Sequence, residues 1–141
     1  MITIENRVGR LIETRFISPI AGSDWADFQR ERERLMRVVG QDRVVCIDLS
    51  LVQLLPPNQA DDFLNLLRGS RPGLTRNAFL LPPGQALLAL QFGRIIRQAN
   101  NPARRAFQSR PELIAWLAEV LRPAELTRLH AFLSEEPGRT R

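Results

Sequence analysis

Short β-branched, apolar segments alternate along this chain with segments whose apolar residues recur every three or four positions. The first pattern is typical of buried strands and the second of amphipathic helices. Taken from one end to the other, the patterns predict the element order ββαβαβαβαα. Strands that alternate with helices indicate parallel pairing, because a parallel connection needs a crossover helix to return the chain. The expected fold class is therefore α/β, with a mixed central β-sheet of about five strands covered by helices.

Local signals place the first half of these elements. Two strands separated by a turn at Asn6 and Arg7 predict an opening β-hairpin. Ser23 is the expected N-cap of the first helix, because serine at this position accepts a hydrogen bond from the helix backbone. Strands are predicted at residues 44–49 and 77–82, with a helix at about residues 59–68 between them.

The second half is dominated by helices. Residues 84–99 form a predicted helix that is apolar over more than one narrow stripe, so it is either deeply buried or docked on a partner. A capping box of Ser109 and Glu112 is expected to start the next helix. Pro123 starts the last one, whose leucine stripe must be covered by its own core or by a second copy. Symmetric pairing is common, which makes a homodimer one expectation.

Composition limits the class of protein. With 141 residues, 44% of them apolar and 25% charged, the chain suits one soluble domain. No apolar run reaches the ~18 residues that a transmembrane span needs, and the N-terminal residues lack the apolar region of a signal peptide, so we expect a cytoplasmic protein. All twenty basic residues are arginine, which is typical of a GC-rich bacterial genome.

Positive charge is concentrated in the middle of the chain. Residues 63–111 contain eight arginines and no acid, whereas the whole chain carries a net charge of +5. Such a segment either forms a basic surface that attracts anions, or pairs after folding with acids from the two flanking segments. Exposed aromatic residues do not alternate with these arginines, so nucleic acid is not the expected partner.

Residues that could perform catalysis are few. One histidine, one cysteine and no lysine or tyrosine leave only carboxylates for a nucleophile and its base, so we expect neither an enzyme nor a cofactor. Cys46 is the single cysteine, which rules out an intrachain disulfide and a metal site of several cysteines. It is interpreted as a buried apolar residue. His130 is interpreted as a surface or packing residue and not as a ligand. Asp48, at the end of a central strand, either binds a ligand there or caps the following loop.

Three features of the sequence are similar to a known family: the element order, the strand VVCIDLS at residues 44–50, and the closing pattern of RRAF at 104–107 and ELIAWL at 112–117. With these features the chain resembles the STAS superfamily of sulfate-transporter and anti-sigma-factor-antagonist domains. The most similar branch is the SpoIIAA-like one. The resemblance covers residues 1–121. It implies a single domain at residues 1–134, made of that core and an added helix at 123–134, followed by a flexible tail at 135–141.

The resemblance also draws attention to the loop after the third strand. In the anti-sigma antagonists, a serine or threonine at the start of the following helix is phosphorylated by a partner kinase. Pro57 or Asn58 occupies that position here, and neither has a hydroxyl group. Asn58 is expected to be the N-cap of the helix instead. Ser50, seven or eight residues earlier, is interpreted as a turn residue.

The resemblance therefore implies a non-enzymatic bacterial regulatory or scaffolding module that binds a protein partner without a phosphorylation switch. A second hypothesis is a domain that binds a small amphiphile with an anionic head, because the SpoIIAA-like branch resembles lipid-carrying CRAL-TRIO folds. An internal cavity beneath the third helix would favour the ligand, and an exposed apolar patch would favour the protein. Eight residues are the candidates for contacting either one: Asp48, Ser50, Pro57, Asn58, Arg94, Arg97, Arg104 and Arg105.

Overall fold

A computed structural model describes residues 1–69 and 72–135. Its helices and strands follow the predicted order, ββαβαβαβαα. They are β1 (Ile2–Glu5), β2 (Leu11–Ile17), α1 (Gly22–Val39), β3 (Arg43–Leu51), α2 (Pro57–Arg68), β4 (Leu74–Leu80), α3 (Ala86–Ala99), β5 (Arg104–Phe107), α4 (Arg110–Ala118) and α5 (Pro123–Ser134).

The five strands form one mixed sheet in the order β1-β2-β3-β4-β5. β1 and β2 are the predicted antiparallel hairpin, and the other neighbours are parallel. In the register of the central strands, Cys46 lies between Glu13 and Ala78. Helices α1, α2 and α3 provide the crossovers that parallel pairing requires. The predicted fold class is confirmed.

Both faces of the sheet are covered. On the first face, α1, α2 and α3 enclose a core that contains Phe16, Phe63, Phe79 and Phe92. On the second face, alternate strand residues, including Val44 and Cys46, pack against α4 and α5. β2 and β3 are buried along most of their length because each of their two sides meets a helical layer.

Two predicted helix starts are wrong. The N-cap of α1 is Ala21 and not Ser23, and the carboxylate of Asp24 accepts a hydrogen bond from the Ala21 N–H at 2.8 Å. The N-cap of α2 is Pro56, so Asn58 lies inside the first turn and makes no side-chain cap bond. Proline at the first helical position has a suitable fixed φ and no N–H to satisfy, which lets the helix begin before Asn58.

The predicted starts of the last two helices are confirmed. The Ser109 hydroxyl accepts a hydrogen bond from the Glu112 N–H at 3.3 Å, which is one of the two bonds of the predicted capping box, and Pro123 is the first residue of α5. Leu129, Phe132 and Leu133 of α5 are buried against the second face of the chain's own sheet. The leucine stripe is thus covered within one molecule and gives no argument for a homodimer.

The proposed tail begins after this helix. Its first residue, Glu135, forms ion pairs with Arg15 and Arg128. Residues 136–141 lie outside the described part of the chain. Among the described helices, none has both the length and the hydropathy that a membrane span requires.

Candidate functional site at the carboxyl ends of the central strands

An open cleft of about 360 Å³ lies where β3 and β4 end and α3 begins. The carboxyl edge of a parallel sheet is the usual place for ligands in α/β proteins, because the loops that follow the strands converge there. The cleft is lined by Ser50, Leu51, Val52, Gln53, Leu54, Pro82, Gln85, Leu87 and Leu88.

Four leucines around this cleft are exposed to solvent. The exposed fractions of Leu51, Leu54, Leu87 and Leu90 are 47%, 53%, 69% and 67%. The first three line the cleft, and Leu90 lies one turn after Leu87 on α3. A single exposed leucine is ordinary, but several at one place are typical of an interaction site. We call these four residues the leucine surface.

The loop that carries Leu54 is held in place by hydrogen bonds. The Leu55 N–H donates to Oε1 of Gln91 at 2.9 Å, and Nε2 of Gln91 donates to the Leu55 carbonyl at 2.8 Å. The N–H of Gln53 donates to the Ser18 hydroxyl at 2.9 Å. Val52 and Leu55 are buried on either side of the exposed Leu54. The leucine surface is therefore supported by fixed backbone, which lowers the entropy cost of binding.

The residues at the expected phosphoacceptor position are next to this loop. Pro57 and Asn58 are exposed in the first turn of α2. Ser50 lines the cleft and is half-buried, and its N–H donates to Oδ1 of Asp48 at 2.9 Å. Of these three candidates, the structure brings only Ser50 to the wall of the cleft.

Asp48 faces away from the cleft, toward α5. Its Oδ1 caps the following loop through Ser50, as one of the two interpretations predicted. Its Oδ2 accepts a hydrogen bond from Nε of Arg15 at 2.9 Å, and both side chains are buried. Arg15 also donates to the Phe132 carbonyl at 2.7 Å and lies over the Phe132 ring. The carboxylate is thus engaged within the protein.

Asp48 belongs to an ionic cluster between the sheet and α5 that the sequence patterns did not predict. Arg128 donates to the two carboxylate oxygens of Glu13 at 2.8 and 2.9 Å and to Glu135 at 2.7 Å. The hydrogen bond to Glu13 is the main reason that the pKa of Arg128 is raised. The sequence did contain a sign of this cluster, namely the charged residues at positions 13 and 15 of an inner strand. Buried charges need partners of opposite charge, and the helix that covers the strand can supply them. The ionic cluster comprises Glu13, Arg15, Asp48, Arg128 and Glu135.

The four candidate arginines do not share one surface. Arg94 and Arg97 are exposed on α3. Arg104 is buried on the first face of the sheet and donates to the Leu67 carbonyl at 3.0 Å, and burial lowers its pKa to about 10. Arg105 points to the other face, where its guanidinium lies 5.2 Å from the Phe107 ring centre. Only Arg94 and Arg97 are on the helix that carries part of the leucine surface.

Pairing between segments does occur elsewhere, as the second interpretation of the middle segment predicted. Arg76 contacts Glu119 of the C-terminal segment at 2.8 Å. Its guanidinium also lies 4.7 Å from the centre of the Trp116 ring. The positive charge of the middle segment is therefore partly used inside the fold and partly exposed on α3.

The remaining candidates have structural surroundings. Cys46 is fully buried, as predicted, and burial raises the pKa of its thiol. His130 is exposed on α5, which is one of the two positions expected for it. Within residues 1–69 and 72–135, no group of three histidine, cysteine, aspartate or glutamate side chains could hold a metal ion.

The chain matches no known family model, no curated protein and no solved structure at a significant level. What it binds must therefore be inferred from the leucine surface and the residues around it.

Proposed function

We propose that the protein is a non-enzymatic regulatory or scaffolding module of the STAS, SpoIIAA-like type that acts in the bacterial cytoplasm and binds a protein partner through the leucine surface. The observation that carries this proposal is the grouping of four exposed leucines around one cleft. Fully burying a leucine side chain is worth roughly 1.5–3 kcal/mol, so a partner that covered all four would gain substantial binding energy.

The position of the surface supports the STAS-type proposal. The leucine surface adjoins the start of α2, which corresponds to the phosphoacceptor region of the anti-sigma antagonists in the resemblance described above. Residues 54–59 contain no hydroxyl group, so a kinase has no acceptor there. Binding at this place would be controlled by the supply of the partner and not by phosphorylation of the loop.

The polar groups near the site support a binding role without chemistry. The carboxylate of Asp48 is engaged by Arg15 and by the Ser50 N–H, and the thiol of Cys46 is buried with a raised pKa. Neither group is presented to the cleft. A nucleophile needs access to its substrate, and these two side chains have none from the cleft.

A small amphiphile is the second candidate, because a cleft of about 360 Å³ is large enough for a small ligand. The space beneath α3 is filled by aromatic rings, with Phe63 and Phe92 centred 5.2 Å apart and Phe63 and Phe79 6.2 Å apart. A ligand would therefore occupy the open cleft. Native mass spectrometry of the purified protein distinguishes this candidate, which requires a discrete added mass that Leu54→Glu removes.

Site-specific photo-crosslinking in the native host tests the main proposal. A photoreactive amino acid replaces Leu54 or Leu87, and the matched control replaces Val38, which is 65% exposed on α1. We expect a discrete heteromeric adduct from the two cleft positions and none from position 38. Adducts only with a second copy of the chain would support a homodimer instead. No adduct, or equal adducts from all three positions, would contradict partner binding at this surface.

A further inference from the structure

The exposed face of α3 combines two kinds of side chain in a fixed order. Leu87, Leu90, Arg94 and Arg97 follow one another at spacings of three, four and three residues, and all four are exposed. These spacings place them on one side of a helix. The opposite side, with Leu88, Phe92 and Ile95, is buried against the core.

This face is apolar near the cleft and basic at its far end. Residues 87 and 97 are ten positions apart, which corresponds to about 15 Å along a helix axis. α3 contains no aspartate or glutamate, so the two arginines have no acid on their own helix. Both side chains are exposed beside the leucines, so their charges are available to a partner that covers the helix.

On the basis of the proposed function, we propose that α3 receives an amphipathic acidic helix of the partner protein. Apolar side chains of that helix contact Leu87 and Leu90, and one of them enters the cleft beside Leu54. Carboxylates one or two turns further along the partner helix meet Arg94 and Arg97. This is the helix-in-groove mode, in which apolar anchors provide affinity and flanking charges fix direction and register.

The shape of the site favours a narrow acidic segment over an anionic membrane. α2 packs beside α3 and presents charges of both signs, because Asp61 and Asp62 are exposed and the exposed Arg68 donates to the Gln98 carbonyl of α3 at 3.4 Å. A single helix that follows α3 contacts the arginines without covering α2. The concave cleft likewise suits an inserted side chain better than a flat lipid surface.

The test places a photoreactive amino acid at Leu90 in the full chain in its native host and maps the crosslinked partner peptide by mass spectrometry. The mapped segment is expected to have helical apolar spacing with acidic residues one or two turns away. Combining Arg94→Glu with Arg97→Glu should lower the adduct yield about tenfold, because two attractions become repulsions. Arg94→Gln with Arg97→Gln should give an intermediate yield.

Arg37→Glu with Arg110→Glu is the matched control, since both arginines are exposed outside α3 and the change in net charge is the same. We expect its adduct yield to equal that of the parent.

A protein adduct whose mapped segment lacks acidic residues, or whose yield is insensitive to Arg94 and Arg97, would overturn this inference and leave partner binding intact. No protein adduct from positions 54, 87 and 90 would overturn both. Binding of the parent to phosphatidylglycerol vesicles that is lost in the Arg94 and Arg97 variants, without a protein adduct, would assign the surface to a membrane.

Discussion

The Glu125 carboxylate occupies the space that a side chain at Gly9 would need. A Cβ atom built on Gly9 would overlap Oε2 of Glu125, and the φ of Gly9 is +56°, in the left-handed region. The same carboxylate accepts hydrogen bonds from the Arg10 N–H at 2.7 Å, from the Arg10 guanidinium at 2.8 Å and from the Arg122 N–H at 2.8 Å. The turn of the opening hairpin is thus joined to the start of α5, 115 residues later.

We expect Gly9→Ala to destabilise the protein. The new methyl group must displace the Glu125 carboxylate, and alanine is strained at positive φ, so the expected loss is about 2–4 kcal/mol in the free energy of unfolding. Gly22→Ala is the matched control, because nothing lies within 4 Å of its Cβ and it is the first residue of α1. Urea denaturation should show no loss for that variant, or a gain of up to about 1 kcal/mol. Equal stability of the two variants would contradict the close contact between Gly9 and Glu125.

Glu125 should make stability depend on pH in the acid range. Burial alone would raise the pKa of Glu125, but the hydrogen bonds from Arg10 and Arg122 outweigh it and lower the pKa to about 2 from its ordinary 4.5. A carboxyl group with a depressed folded-state pKa stabilises the fold above its unfolded-state pKa, and this stabilisation is lost as the pH falls from 4.5 toward 2. Glu125→Gln keeps the shape of the side chain but cannot ionise.

The measurement is the difference in the free energy of unfolding between the parent and Glu125→Gln at several pH values. We expect a difference of a few kcal/mol at pH 6 that shrinks steadily below pH 4.5. A difference that stayed constant down to pH 2.5 would show that ionised Glu125 does not stabilise the fold.

The buried ion pair between Arg15 and Asp48 should be costly to break from one side only. Asp48→Ala removes the hydrogen-bonded carboxylate of the buried Arg15 and leaves it only the Glu135 carboxylate at 3.6 Å, so the expected cost is about 3–5 kcal/mol. Replacing both residues, with Arg15→Met and Asp48→Leu, should cost less than the sum of the single changes. The exposed pair of Arg30 and Asp27 on α1 is the control, and Asp27→Ala should cost no more than about 1 kcal/mol. Chemical denaturation measures these costs for Asp48→Ala, Asp27→Ala, the double variant and its two single variants, Arg15→Met and Asp48→Leu. Strict additivity for Arg15 and Asp48 would argue against their coupling.

Gln91 should hold the loop below the leucine surface in place. Gln91→Ala removes both hydrogen bonds to Leu55 and is expected to cost about 1–3 kcal/mol, because the Leu55 N–H and carbonyl lose their partner. Hydrogen exchange at the Leu55 amide should accelerate in this variant. Gln98→Ala, at an exposed position of the same helix, should leave both quantities unchanged. Unchanged exchange at Leu55 in Gln91→Ala would mean that other contacts hold the loop.

Periodicity and local capping were enough to predict much of the fold. The order of the ten elements, the mixed sheet and the burial of Cys46 follow from apolar spacing, which reflects contacts that repeat along each element. The N-cap role of Ser109 was predicted because it depends on residues three positions apart.

The starts of α1 and α2 were predicted wrongly. Asp24 caps α1 through the Ala21 backbone, and Pro57 starts α2 before Asn58, so backbone geometry outweighed the usual preference for a polar N-cap.

The candidate site depended on how the elements pack together. The apolar breadth of α3 left burial and partner docking equally open, and packing against the sheet buried Leu88 and Phe92 while leaving Leu87 and Leu90 exposed. The leucine stripe of α5 could likewise have been buried in its own core or docked on a second copy, and here the chain's own sheet covers it. Arg104 and Arg105 are adjacent in the sequence, yet a strand turns them to opposite faces. Apolar spacing specifies which residues share one side of a helix or strand, but whether that side meets the core or the solvent depends on contacts between residues far apart in the chain.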